Sequence, residues 1–238
     1  MIEQVKKAYY LKMSEFKIIL AIMGADELFG FQLEEKEIPE QIMLNKMLFE
    51  MAKKELIFAN EEGLCVNQDI KLIISEIMNA EKMMVISNKT GDYPEKCIYI
   101  TKEAVSIQIC GHKNDFVRLE RVTVYDLPQM IMESGFRVEQ VLNDYILYQE
   151  KKIESYEISE IVRKLFEKSK NDVLTHEVIN GCLIVYSAIT QKKVLQVLLV
   201  NKGIEDYIVV SDINEDVIYH YSEKMIINII RKCIGEEK

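Results

Sequence analysis

One stretch near the carboxyl terminus carries oxygen ligands at the spacing of a calcium-binding loop. In DINEDVIYHYSE such ligands stand at the first, third, fifth and twelfth positions: Asp212, Asn214, Asp216 and Glu223. Val217 occupies the sixth position, where the loop needs glycine for its sharp turn, and a strand instead of a helix is predicted before the loop. The alternative interpretation, an acidic turn that leads into a capped helix, is the one that the pattern favours.

Histidine and cysteine are the other residue types that bind metals or attack substrates. The three histidines are His112, His176 and His220, and the five cysteines are Cys65, Cys97, Cys110, Cys182 and Cys233. No histidine has a partner at metal-ligand spacing and no Cys-x-x-Cys pair exists, so neither a zinc site nor a redox pair is indicated. We expect buried, reduced thiols and histidines that are satisfied or exposed. Whether the histidines converge in space stays open at this stage.

No other pattern in the sequence indicates catalysis. GADELFG has acidic residues where a phosphate-binding loop needs bare backbone and a lysine. The carboxylates are numerous, and no pair of them stands out against that acidic background. The sequence therefore predicts a protein that is not an enzyme, with no catalytic residue, no metal site and no cofactor.

Composition and charge narrow the class of protein. The 238 residues are 49% hydrophobic and 29% charged, with three prolines and nine glycines, which is typical of a folded globular protein. The net charge of −9 counts against a nucleic-acid partner, because such binding depends mostly on Lys and Arg side chains that neutralise phosphate. The amino-terminal segment lacks the apolar core of a secretory signal, and no apolar run approaches the length of a membrane span. We expect a cytoplasmic protein that does not contact a membrane.

The first half of the chain predicts helices followed by a sheet. Apolar residues recur at helical spacing in three segments, which are predicted to be helices over 14–23, 40–54 and 67–79. The second of these helices contains Met43, Met47 and Met51, and methionine stripes belong to cores or to adaptable binding surfaces. From residue 82 the segments KMMVISN, KCIYIT, AVSIQIC and FVRLERV predict a four-stranded meander, and a short helix then stops at Gly135.

The second half is predicted to repeat that order. RVEQVLNDYILYQEK and the apolar stripe that begins at Ile158 predict helices. Asn180-Gly181 is the strongest hairpin signal in the chain and predicts a turn between DVLTHEVI and CLIVYSAIT. KVLQVLLV and YIVVSD complete a second meander, and Ser222 caps the closing helix. Because the second meander is almost continuously apolar, it is predicted to be the more buried of the two.

These patterns predict an α+β fold with a central antiparallel sheet. Each half contributes a helix, a four-strand meander and a helix, so the two halves are expected to have a quasi-two-fold arrangement with helices packed on the sheet. We expect a single domain, 1–238, that consists of two pseudo-repeats, an N-terminal half over 1–136 and a C-terminal half over 137–238.

The segment 55–86 raises an alternative. A helix, a tight turn from Asn60 to Gly63 and another helix also begin a winged-helix DNA-binding domain. The second helix offers one lysine, Lys71, beside two acidic residues, although a reading helix needs cations that contact phosphate. The segment is therefore interpreted as scaffold, and a transcriptional regulator that uses residues 10–86 is the second hypothesis.

Three segments resemble a known protein family. SEFKIILAIMGADELFGFQL is similar to the opening of the EspG-like secretion-associated proteins of ESX (type VII) systems. KKELIFANEEGLCVNQDIKLIISEIMNAEKMMVI resembles the next block of that family, and CIYITKEAVSIQICGHKNDFVRLERVTVYDLPQMIMESG follows its order of strands and helix. The resemblance covers residues 14–135, and the second half matches as architecture. The chain departs from the family in being rich in Ile, Lys and Met and in having no Trp, as in a low-GC relative.

The resemblance implies both a fold and a function. The fold is a quasi-two-fold organisation around a central antiparallel sheet, and the function is that of a cytosolic, non-enzymatic chaperone or adaptor that keeps helical secretion substrates soluble. In a distant relative the client is expected among small helical secreted proteins of the WXG or LXG kind. The partner-binding residues and the oligomeric state are unknown from the sequence. An α+β enzyme with a site assembled only in three dimensions is the third hypothesis.

Overall fold

The computed structural model describes residues 8–25, 28–29, 41–61, 63–88, 96–101, 104–110, 115–138, 179–202, 205–214 and 216–235. Several sequence predictions lie outside these residues. They are the helices expected within 139–178, the strand DVLTHEVI, and the histidines His112 and His176.

Five α-helices are described: α1 (Met13–Ile22), α2 (Gln41–Lys53), α3 (Gln68–Met78), α4 (Leu127–Ile131) and α5 (Glu223–Ile234). A 3-10 turn, Val124–Asp126, precedes α4, and a π-type turn, Met132–Phe136, follows it. The predicted bounds of the first three helices agree with the structure to within one residue at each end, because apolar periodicity marks the buried face of each helix.

The strands are β1 (Ala8–Lys12), β2 (Ile57–Asn60), β3 (Gly63–Val66), β4 (Lys82–Asn88), β5 (Lys96–Ile100), β6 (Ala104–Cys110), β7 (Phe116–Val122), β8 (Ile179–Ser187), β9 (Lys193–Lys202), β10 (Glu205–Asp212) and β11 (Asp216–His220). Nine of them form one large antiparallel sheet in the order β1-β7-β6-β5-β4-β8-β9-β10-β11, and β2 with β3 forms a small separate sheet. The predicted α+β class with a central antiparallel sheet is confirmed.

The chain divides into two compact units, and the first comprises Met1–Met83 with Cys97–Val122. Its helix α3 buries an isoleucine stripe: Ile70, Ile73, Ile74 and Ile77. Asn67 caps this helix, because its side-chain oxygen accepts a hydrogen bond of 3.0 Å from the backbone N–H of Asp69. Arg121 on β7 forms an ion pair with Glu76 on α3, which ties the outer side of the helix to the sheet.

The second unit comprises Met84–Lys96 with Thr123–Lys238. Helix α5 begins as the sequence predicts, because the Ser222 hydroxyl accepts a hydrogen bond of 3.3 Å from the N–H of Met225. It ends at Gly235, whose φ of 85° places it in the left-handed region that glycine tolerates. Ile226 and Ile230 on this helix are buried.

The predicted hairpin turn at Asn180-Gly181 is wrong, because both residues lie inside β8. The register of β8 against β9 shifts between Ile179 and Gly181, as in a β-bulge. A Cβ atom on Gly181 would lie 3.1 Å from the carbonyl oxygen of Gly135. The glycine therefore allows a close approach of two backbone segments and does not supply a turn.

Two further expectations are corrected. The stretch between α2 and α3 is not a plain turn, because β2 and β3 form an antiparallel hairpin there, with Asn60 opposite Gly63. The second meander is not the more buried one. Strand β6 is buried on both faces from Ala104 to Ile107, including Ser106, whereas residues of β8 alternate between buried and half-buried. An interior position between β5 and β7 explains the burial of a strand whose sequence alternates.

Candidate partner-binding surface

Residues 212–223 fold as neither interpretation predicts, because the strand β11 separates the acidic turn from the capped helix α5. Asp212 ends β10, and its side-chain oxygen accepts a hydrogen bond of 2.6 Å from the N–H of Asn214, which forms a tight turn. Asp216 then begins β11, a strand of five residues that at about 3.3 Å per residue extends away from the turn toward Glu223. Asp212, Asn214 and Asp216 thus lie at the turn, whereas Glu223 begins α5 beyond the far end of β11. Among the residues that the structure describes, no cluster of three His, Cys, Asp or Glu side chains could hold a metal ion.

The one described histidine, His220, is a structural residue. It lies at the end of β11, and its ring is 5.2 Å from the ring of Tyr207 on the paired strand β10. None of the five cysteines forms a disulfide, and each is half-buried instead of fully buried as the sequence predicts. Burial raises the pKa of the Cys182 thiol, which disfavours the thiolate and makes this cysteine a poor nucleophile.

Ser134 and Lys96, residue types that can act as a nucleophile and its base, meet in the second unit. The Lys96 ammonium donates a hydrogen bond of 2.9 Å to the Ser134 hydroxyl, which itself donates one of 2.6 Å to the Met130 carbonyl. The serine is 1% exposed, so no substrate reaches its oxygen. A charged lysine that donates to the serine is also not the base that would activate it. This pair holds the π-type turn in place.

Exposed apolar side chains on α2 form a more informative feature. The side of α2 that faces the first unit carries Leu44, Met47, Leu48 and Met51, and only Met51 among them is fully buried. On the opposite side, Ile42 is 82% exposed and Phe49 is 60% exposed. A surface helix of a globular protein normally carries polar residues on that side. Helix α2 therefore carries two exposed apolar side chains, interspersed with Lys46 and Lys53, on the face opposite its packed one.

The hairpin that follows α2 adds two more exposed apolar side chains. Its base is buried, since Ile57 and Val66 pair and lie in the core of the first unit. Its tip projects from that core, with Phe58 51% exposed and Leu64 45% exposed. Phe58 and Leu64 point to opposite faces of the hairpin, because Phe58 is paired with Cys65 and successive side chains alternate.

We define the α2–hairpin surface by these residues: Ile42, Met43, Phe49, Phe58 and Leu64. These five large apolar side chains are exposed, and they fall within 23 consecutive residues, 42–64, of the first unit. Exposed apolar residues scattered singly need no explanation. Five of them within one helix and its adjoining hairpin, with Phe58 and Leu64 on opposite faces of that hairpin, make this segment the candidate for partner contact.

The methionine pattern partly indicated this surface. The three methionines at 43, 47 and 51 were interpreted as core or as adaptable surface, and the structure divides them, with Met51 buried and Met43 exposed. Ile42 and Phe49 were missed. A helical wheel centred on the buried stripe would have placed both on the far side, which is the signal that the sequence did contain.

Comparison with known proteins gives a match among the solved structures. Neither a protein-family profile nor a curated protein sequence matches the chain. Among solved structures, the chain is similar to EspG5, a type VII secretion system chaperone of Mycobacterium tuberculosis, solved in complex with the PE25–PPE41 dimer. The match has a TM-score of 0.58 and 10% sequence identity, and it covers 94% of this chain and 95% of EspG5.

This similarity establishes the fold. At 10% identity the backbone architecture is shared over nearly the whole of both chains, so the chain has an EspG-like fold, as the sequence resemblance implied. The structural neighbour is a chaperone of a type VII secretion system. None of the helices among the described residues is long and apolar enough to cross a membrane.

Proposed function

We propose that this protein is a non-enzymatic chaperone or adaptor of a type VII-like secretion system. Its clients would be small helical secreted proteins of the WXG or LXG type, bound in the cytoplasm before export. The observation that carries the proposal is the α2–hairpin surface, which leaves Ile42, Phe49 and Phe58 exposed on an EspG-like fold. The chaperone role of the structural neighbour supports the same interpretation.

The mechanism follows from the apolar character of that surface. A helical client with an apolar stripe aggregates when the stripe meets water or another client molecule. Phe49 and Phe58 would receive the stripe and remove it from solvent, in the manner of an amphipathic helix laid against an apolar face. Neither step needs a catalytic group or a cofactor, and release requires only that a later partner bind the client more tightly.

The charge of the chain suits a solubilising role. With a net charge of −9, a complex of this protein with a client stays far from neutrality, which keeps it in solution. Charged residues outside the α2–hairpin surface would therefore act on solubility, whereas the apolar residues of that surface would supply the contact.

The test is a pull-down of the tagged full chain from its native lysate, with bound proteins identified by mass. We expect one small helical secreted protein, recovered in near-equal amount with the wild-type chain. The variant Phe49→Ser/Phe58→Ser is expected to lose it, whereas Leu72→Ser, which alters an exposed leucine of α3, keeps it. Absence of any such partner, from cells shown to express these clients, would overturn the proposal.

A further inference from the structure

The outward face of α2 has a charge pattern as well as an apolar one. Ile42, Lys46, Phe49 and Lys53 follow one another at spacings of four, three and four residues. Because an α-helix turns about 100° per residue, these four side chains fall within an arc of roughly 60°. All four are exposed, so they form a single line along the helix, here called the α2 line.

The α2 line is locally cationic on an acidic protein. It contains two lysines and no carboxylate, whereas the whole chain carries a net charge of −9. The nearest acidic neighbour is Glu50, which lies beside the line and pairs with Lys53 at 3.3 Å. The Lys53 ammonium also lies 4.4 Å from the centre of the Phe49 ring, so one cation is held directly over the apolar residue.

We propose that the α2 line binds an amphipathic helix of the client whose apolar stripe is flanked by carboxylates. This inference rests on the proposed function and names the chemistry of the partner. Ile42 and Phe49, two turns apart, would contact the stripe, while Lys46 and Lys53, also seven residues apart, would reach acidic side chains along its edge. A basic client helix would meet two cations there and would be disfavoured.

The length of the helix matches such a contact. At 13 residues and about 1.5 Å per residue, α2 offers a face of roughly 20 Å, which is three to four turns of a partner helix. A contact of this size is small for a permanent interface and suits a client that must be released. The negative field of the rest of the chain acts against this preference. Because that field acts over longer distances than the contacts on the α2 line, salt screens it first.

The probes are two synthetic, labelled helical peptides with the same leucine stripe, one flanked by Glu and one flanked by Lys. Binding to the full chain is followed by fluorescence anisotropy at about 0.15 M ionic strength, where a Debye length of about 8 Å screens the distant acidic residues. We expect the Glu-flanked peptide to bind about three- to tenfold more tightly, as for two exposed ion pairs. The preference should largely disappear at about 1 M salt, where the Debye length is about 3 Å.

The variant Lys46→Glu/Lys53→Glu is expected to reverse the preference. The matched control is Lys71→Glu/Lys192→Glu, which makes the same change in net charge at exposed lysines outside the α2–hairpin surface and should keep the original preference. Circular dichroism of each variant establishes that the helix content is unchanged.

The outcomes separate this inference from the proposed function. Equal binding of both peptides, or tighter binding of the Lys-flanked one, would overturn the charge assignment and leave helix binding standing. Binding of neither peptide would overturn both. A concentration-dependent dimer that Phe49→Ser abolishes would show that a second copy of this chain occupies the α2 line, and this result would also overturn the inference.

Discussion

Tyr221, which follows β11, donates a hydrogen bond of 2.9 Å from its hydroxyl to the carbonyl oxygen of Phe136, 85 residues earlier in the chain. The same hydroxyl oxygen accepts a hydrogen bond of 3.2 Å from the N–H of Val138. Phe136 is fully buried, so its carbonyl has no water to replace this donor. One phenol thus satisfies two backbone groups where the chain leaves the π-type turn.

Tyr221→Phe tests the contribution of these bonds to stability. The substitution keeps the ring and removes the hydroxyl, which leaves a buried carbonyl without its donor. We expect a loss of about 1–3 kcal/mol in the free energy of unfolding at neutral pH, measured by urea denaturation. Tyr125→Phe is the control, since Tyr125 is exposed and should change stability little.

The pH dependence of stability gives a second test of Tyr221. Burial raises the pKa of this phenol from 10.0 to about 12. Between these values the folded state holds a proton that the unfolded state has released, so the stability from this group is present below pH 10 and is lost as the pH rises toward 12. Tyr221→Phe should therefore show a shallower decline of stability across that window than the wild-type chain. Parallel declines would contradict the assignment.

Gly181→Ala probes the close backbone approach in the second unit. The added Cβ would lie 3.1 Å from the Gly135 carbonyl oxygen and 3.4 Å from the Phe136 ring. Neither the backbone oxygen nor the ring is the end of a flexible side chain that could move aside. We therefore expect a loss of about 1–3 kcal/mol in the free energy of unfolding, measured by thermal or urea unfolding. Asn180→Ala, one residue away and half-buried, is the control. If the two variants were equally stable, the glycine would have no packing role.

The buried carboxylate of Glu15 links α1 to the end of α2. One of its oxygens accepts a hydrogen bond of 2.9 Å from the Lys12 N–H, and the other lies 2.5 Å from the Lys54 ammonium. We expect Glu15→Gln to cost about 1–3 kcal/mol and Lys54→Met less, because the lysine is half exposed. A double-mutant cycle measures the coupling between Glu15 and Lys54. A coupling of zero would show that the short contact adds nothing to stability.

Two neighbouring residues of α2 should separate stability from binding. Met51 is fully buried and Phe49 is mostly exposed, although both lie on one helix. We expect Met51→Ala to cost about 2–5 kcal/mol and Phe49→Ser to stay within about 0.5 kcal/mol of the wild type. In the pull-down, folded Met51→Ala should still recover the client, whereas Phe49→Ser should recover less of it. A large loss of stability in Phe49→Ser would mean that its ring belongs to the core.

The local elements with a clear apolar periodicity could be predicted, whereas the short strands β1 and β11 were not. Ile70, Ile73 and Ile74 mark the inner face of α3, and Ser222 with Gly235 marks the two ends of α5. The first meander followed from alternation and turn residues. The prediction failed where a residue type has two uses. Asn180-Gly181 has the composition of a hairpin turn, and only the neighbouring carbonyl of Gly135 explains why the glycine lies within a strand.

The amino-acid sequence by itself determined the fold class, the bounds of α1, α2 and α3 and the resemblance to the EspG-like proteins, because these depend on periodicity and local backbone preference. Only the tertiary structure decided that Phe49 is exposed while Met51 is buried, and that Asp216 lies on a strand instead of in a metal-binding loop. Only the tertiary structure, too, shows the hydrogen bond from the Tyr221 hydroxyl to the Phe136 carbonyl oxygen. Exposure and long-range contact depend on which distant segments pack together, and no local pattern in the chain encodes that.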